Sequence, residues 1–174
     1  MFSAFKRNPV RALVRCAMLA ALYVVLCLTL APFSYGAVQV RVAEMLCLLP
    51  VFGGEYIIAV TLGCFLANLL GSTVIDVVFG TLATLLACLV TYCLGKKRVK
   101  GLALPAAVPP ILFNAVIVGL EISIFFSDTA ATLPIVLFNM LTVGLGEVVS
   151  CGILGVALVK IIESNAALKR IFTE

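Results

Sequence analysis
The chain has 174 residues, of which 64% are hydrophobic and 11% charged, where a soluble domain carries about 25% charged residues. It holds 7 cysteines, no C-x-x-C pair and no histidine, which argues against a disulfide framework, a zinc site or histidine-based acid–base catalysis. This composition predicts an integral membrane protein, read as a single unit over residues 1–174 with no separate soluble domain.

The first apolar run, 12–31, is long enough to span and reads as a retained first helix rather than a cleaved signal. Basic residues Lys6, Arg7, Arg11 and Arg15 surround its start. Two later clusters follow, Lys96, Lys97, Arg98 and Lys100, then Lys160, Lys169 and Arg170. All three read as cytoplasmic anchors, with both termini inside, and not as a nucleic-acid surface. Within the first helix Ala17-x-x-x-Ala21, and the offset ladder Ala12, Cys16 and Ala20, would let another helix approach closely.

The next stretch, Gln39-Val-Arg41-Val-Ala-Glu44 through Pro50 to Gly53-Gly54-Glu55, sets charge inside an apolar run. A charge at membrane depth costs about 2.5–3.5 kcal/mol on insertion scales, so it faces a partner charge, a bundle interior or a ligand. On a helix Arg41 and Glu44 share a face, which allows either an internal ion pair or a ligand site. Residues 42–71 form one long span or two short ones broken at Gly53-Gly54. Topology favours two, because an even number of spans must separate the first two basic clusters if both are cytoplasmic. The second span, 42–52, then reaches only about 17 Å across a core of about 30 Å. Short, interrupted segments of this kind are tolerated where protein encloses them, and they point to a transporter's binding site.

Further runs at 74–95, 103–126 and 133–161 complete the expected fold: all-α and polytopic, a bundle of six transmembrane helices with a short, interrupted second span. The same parity puts Arg41, Glu44, Asn68, Asp76, Glu121 and Asn139 in the external half, and Glu55 at a cytoplasmic turn. The last two runs echo each other, since Leu112-Phe113-Asn114 leads to Gly119 and Glu121, and Leu137-Phe138-Asn139 leads to Gly144 and Glu147. In antiparallel helices this sets Glu121 near the depth of Asn139 and Asn114 near that of Glu147. The candidate ligand set is therefore Arg41, Glu44, Asn68, Asp76, Asn114, Glu121, Asn139 and Glu147. Its excess of acid favours a cationic or donor-rich ligand, or protonated carboxyls.

The chain lacks G-x-x-x-x-G-K-[ST], H-E-x-x-H and G-x-S-x-G, so neither a P-loop ATPase nor these hydrolase chemistries is encoded. No metal or cofactor is implied. A small lipid transferase lacks the expected D-x-x-x-D-type spacing, and a non-catalytic assembly subunit is the remaining alternative.

Arg41-Val-Ala-Glu44 after Gln39, Gly63-Cys-Phe-Leu-Ala-Asn68-Leu-Leu-Gly71, Asp76-Val-Val-Phe-Gly80-Thr-Leu-Ala-Thr84 and the two Leu-Phe-Asn helices resemble the QueT family of queuosine-precursor transporters, from about Arg15 to Val159. The resemblance implies a six-helix substrate-binding (S) component of an energy-coupling factor (ECF) transporter. Such a component works with a transmembrane coupling subunit, docked through Ala17 and Ala21, and two cytoplasmic ATPases. The implied substrate is queuine or another 7-deazaguanine, with an S component for a different vitamin or nucleobase as the alternative. Such a base implies Glu121 or Glu147 for its two adjacent donors, and Asn114, Asn139 or Arg41 for its carbonyl. It further implies Glu44 or Asp76 for an amine, and Phe113 or Phe138 for the ring face.

Overall fold
The computed structural model describes residues 8–30, 40–127 and 130–173; Lys6, Arg7, Ala31 and Gln39 lie outside them. Among the described residues the chain is helical and forms no strand. Helix α1 spans Pro9–Thr29, opened by Pro9 at its first turn and by Asn8, whose side chain accepts from the Arg11 amide. A 3₁₀ segment, Val42–Val51, precedes α2 at Glu55–Gly71. Helix α3 spans Val74–Leu94 and α4 Leu104–Phe125. Helix α5, Leu133–Glu147, runs on through a π-helical stretch, Val148–Gly155, into α6 at Val156–Ser164, and α7 covers Ala166–Thr173.

Among the described residues four helices are long and apolar enough to cross a membrane, Pro9–Thr29, Val74–Leu94, Leu104–Phe125 and the continuous Leu133–Ser164. Val42–Val51 and Glu55–Gly71 are shorter. Their contacts fix the direction of every segment. A Cβ at Gly63 would stand 2.7 Å from that of Tyr23, and Cys16 Sγ lies 3.5 Å from the Glu55 carbonyl, so α1 and α2 run parallel. Asn68 reaches the Asp76 carbonyl and Thr91 that of Ala106, so α2, α3 and α4 alternate. Gly119 meets Met140 and Gly144 meets Ala115, which makes α4 and α5 antiparallel. The 3₁₀ segment runs beside the π stretch in the same sense, Glu44 against Cys151 and Leu48 against Gly155. The 3₁₀ segment therefore returns the chain between the parallel α1 and α2.

That segment is the centre of the bundle. Runs of 3₁₀ helix beyond three or four residues are uncommon because their hydrogen bonds are poorly aligned. Here ten residues hold it, and at about 2.0 Å per residue they reach about 20 Å, further than an α-helix of equal length. Pro50 removes one backbone donor, and α1 to α4, α6 and the π stretch all pack around the segment. Ala43, Glu44, Leu46, Cys47, Leu48, Leu49 and Pro50 are all buried. A backbone of this kind survives at membrane depth because protein, not lipid, surrounds it.

The opposite end of the bundle from Arg41 collects the other described basic residues. Arg15 donates to the Ile171 carbonyl, Tyr56 to that of Phe172 at 2.8 Å, and Arg98 pairs with Glu163 at 2.5 Å. Phe172 also lies 6.0 Å from Phe52 and 5.7 Å from Tyr56, ring to ring, so α7 caps the turn at Gly53-Gly54. Lys100 and Gly101 form the tight turn into α4 with positive φ of 51° and 74°, where glycine relieves the strain.

Candidate functional site
At the end away from the basic residues, the 3₁₀ segment, α1 to α5 and the loop after α2 enclose a cavity of about 570 Å³, inside the usual range of about 300–1,000 Å³ for small-molecule sites. Arg41, Glu44, Asn68, Asp76, Asn114 and Glu147 line it. Glu121 and Asn139 do not.

Glu44 is the hub. It is 1% exposed, accepts from the Tyr23 hydroxyl on Oε1 and from Cys47 Sγ at 2.8 Å on Oε2, with Asn114 Nδ2 at 3.5 Å from Oε2. Its backbone carbonyl accepts from Cys151 Sγ at 3.1 Å, and that thiol lies 3.2 Å from Glu147 Oε2. Asn114 therefore stands between two carboxylates, Glu44 and Glu147. Glu147 closes α5 where the helix widens into the π stretch, a distortion that frequently marks functional sites. Tyr23 carries no sequence signature. Its place comes from the packing of α1 against the 3₁₀ segment, which brings its hydroxyl to Glu44. Tyr23→Phe should remove the hydroxyl donor and strand a buried carboxylate oxygen at about 1–3 kcal/mol. Thermal unfolding of the purified protein checks this, and an unchanged midpoint would contradict it.

Arg41 does not pair with Glu44. The Arg98–Glu163 bridge is the ion pair found among the described residues. Arg41 is the extended N-cap of the 3₁₀ segment, with φ −90° and ψ 92°, so the helical spacing that would bring it over Glu44 does not apply. Its Nη2 instead donates to Asn68 Oδ1 at 2.8 Å. Asn68 is itself anchored, its Nδ2 donating to the Asp76 carbonyl at 3.0 Å, and a Cβ at Gly80 would stand 2.9 Å from that nitrogen. Asn68 thus positions Arg41 at the cavity. Asp76 sits in the first turn of α3, its amide capped by Thr73 and its carboxylate accepting from Ser72.

The echoed helices meet at the depths their antiparallel spacing predicts, but on different faces. Asn114 faces the cavity, with Val118 and Ile122 following at helical intervals on α4. Asn139 turns into the α4–α5 interface and donates to Ser123 Oγ at 2.9 Å. Glu121 is 2% exposed with Asp76 as its acidic neighbour. Phe138 is 64% exposed and does not reach the cavity, nor does Phe113; Phe126 is the aromatic ring on its wall. On α1, Ala12, Cys16 and Ala20 are buried, whereas Ala17 and Ala21 lie exposed on the outer face.

A set of apolar helices around one cavity that carries buried acids is the plan of a membrane protein rather than of a soluble receptor. The family model described as QueT transporter matches residues 13–164, and the chain belongs to that family, one of multi-pass membrane transporters and not of enzymes. The queuosine precursor transporter QueT of Lactococcus lactis subsp. cremoris (strain MG1363) is 46% identical over 82 residues, 46% of this chain and 48% of that protein. The match spans about half the length of that curated relative. No solved structure matches.

Proposed function
We propose that the chain is the substrate-binding component of an ECF-type importer, one integral-membrane unit over residues 1–174 that captures a queuosine precursor, queuine or another 7-deazaguanine, in this cavity. The observation that carries the reading is the pair Glu44 and Glu147 with Asn114 between them on the floor of the cavity. A guanine-like base presents a ring N–H beside an exocyclic amine, which one carboxylate accepts in bidentate fashion. Its carbonyl oxygen needs a donor, which Asn114 or Arg41 supplies. Phe126 and the aliphatic wall offer the ring a dry face. The relative's name, queuosine precursor transporter, agrees with this chemistry.

In this reading the six segments, alternating in direction, each cross the membrane, including the short 3₁₀ segment enclosed by its neighbours. The basic end faces the cytoplasm with both termini, and the cavity faces outward. The transmembrane coupling subunit docks on the exposed Ala17 and Ala21 face of α1, and two cytoplasmic ATPases supply the energy that this chain has no P-loop to harvest. Uptake of labelled queuine by cells co-expressing the chain with an energy-coupling module tests the assignment. Ala17→Leu with Ala21→Leu should abolish uptake while the isolated subunit still binds solute. Full uptake in the double variant would refute the docking face.

A further inference from the structure
Each acid of the cavity floor has a cysteine one turn further along the same helical run. The 3₁₀ segment has three residues per turn, so positions i and i+3 eclipse and Cys47 stands directly over Glu44. Its Sγ lies 2.8 Å from Glu44 Oε2. Cys151 follows Glu147 by four residues, where α5 widens into the π stretch, and its Sγ lies 3.2 Å from Glu147 Oε2 and 3.1 Å from the Glu44 carbonyl. One thiol thereby ties the backbone of the first acid to the side chain of the second. Both cysteines are 0% exposed, and neither lines the cavity. No cation takes their place, because Arg41 donates to Asn68 and forms no ion pair among the described residues.

A buried cysteine is by default a small apolar packing residue, but packing alone does not require its sulfur to meet a carboxylate oxygen. A thiol is also a weak donor. It restrains a buried carboxylate without occupying it as a guanidinium or ammonium would, which leaves the oxygens free to accept from the N–H groups of a solute. We propose that Cys47 and Cys151 are positioning residues of this site. Their thiols fix the rotation of the Glu44 and Glu147 carboxyl groups and join the 3₁₀ segment to the π stretch as one recognition surface. They touch no solute and act only through the two acids. The inference rests on the solute-binding reading of the cavity and adds the residues that set its geometry.

Serine keeps a donor at these positions and alanine removes it, so the two substitutions separate a hydrogen-bonding role from a packing one. The full-length protein, purified in detergent, is titrated calorimetrically with queuine and with 7-cyano-7-deazaguanine. Cys47→Ser and Cys151→Ser are expected to bind within about threefold of wild type, and Cys47→Ala and Cys151→Ala about tenfold or more weakly. Cys16, whose Sγ meets the Glu55 carbonyl at the opposite end of the bundle, is the control, and both of its variants should bind as wild type does. Alanine binding as tightly as serine, or more tightly, would give that cysteine the packing role and remove it from the site. Thermal midpoints without solute read the same hydrogen bonds, and each serine variant should unfold above its alanine counterpart. If wild type binds neither compound while the serine midpoints exceed the alanine midpoints, the solute reading falls and the positioning of the two acids stands. If wild type binds and the alanine variants match the serine variants in affinity, the positioning role falls and the solute reading stands.

Discussion

Glu44→Gln is expected to lower solute affinity by about a hundredfold or more, since removing one member of a buried, hydrogen-bonded charged set costs about 2–5 kcal/mol. Tyr23 donates to one carboxylate oxygen, and Cys47 donates to the other with Asn114 nearby, so all these neighbours present hydrogen. Glutamine keeps the volume but replaces one acceptor with an NH₂, which turns a donor against either Tyr23 or Cys47. Tyr23 or Cys47 must then accept from the amide and give up the acceptor that its own hydrogen now has. Calorimetric titration of the variant measures the loss, and a monodisperse elution profile controls for folding. Affinity within threefold of wild type would remove Glu44 from the centre of the site.

The second large effect separates two glycines that the sequence presents as equivalent. A Cβ at Gly119 would stand 2.7 Å from Met140 Cα and 3.0 Å from its amide nitrogen, with backbone that cannot yield. At Gly144 the nearest atom is Ala115 Cβ at 3.4 Å, an ordinary contact. Gly119→Ala should therefore push α4 and α5 apart and cost about 1–3 kcal/mol. Gly144→Ala should be neutral or slightly stabilising, because alanine favours a helix over glycine by about 0.5–1 kcal/mol. Thermal denaturation of the two variants side by side decides it. Equal midpoints would show that the close crossing at Gly119 is not what holds the two helices together.

The contrast between those glycines shows where sequence reasoning runs out. Apolar runs and their Pro, Gly and charge breaks locate the membrane-length segments to within a few residues, because in lipid the length of a hydrophobic run is itself the structural constraint, whereas the short α7, Ala166–Thr173, lies beyond the last run and has no such signal. Parity also foresees that the chain must return between α1 and α2. Hidden from it is the conformation of the returning segment, whose 3₁₀ form depends on enclosure by six neighbouring elements rather than on local propensity. The Arg41–Glu44 pairing fails for that reason: it assumes a helical register at a residue that is extended. Composition identifies the buried acids, since their expense is local, and Arg41, Glu44, Asn68, Asp76, Asn114 and Glu147 do meet at one cavity. Which face each presents is a matter of packing. Asn139 and Asn114 occupy matching places in the echo, yet one faces the α4–α5 interface and the other the cavity. Tyr23 and Phe126 sit in apolar runs where an aromatic ring has no distinguishing signal, and only the assembled bundle gives them a place.

The central claim is that the floor formed by Glu44, Asn114 and Glu147 binds a guanine-like base. Calorimetric titration of the purified wild-type protein with 7-deazaguanines, alongside adenine and a panel of vitamins, tests it most directly. Saturable binding at one site per chain is expected for the 7-deazaguanines and none for adenine, whose Watson–Crick edge lacks the paired N–H donors. Saturable binding of adenine or of a vitamin, with no heat from any 7-deazaguanine, would contradict it.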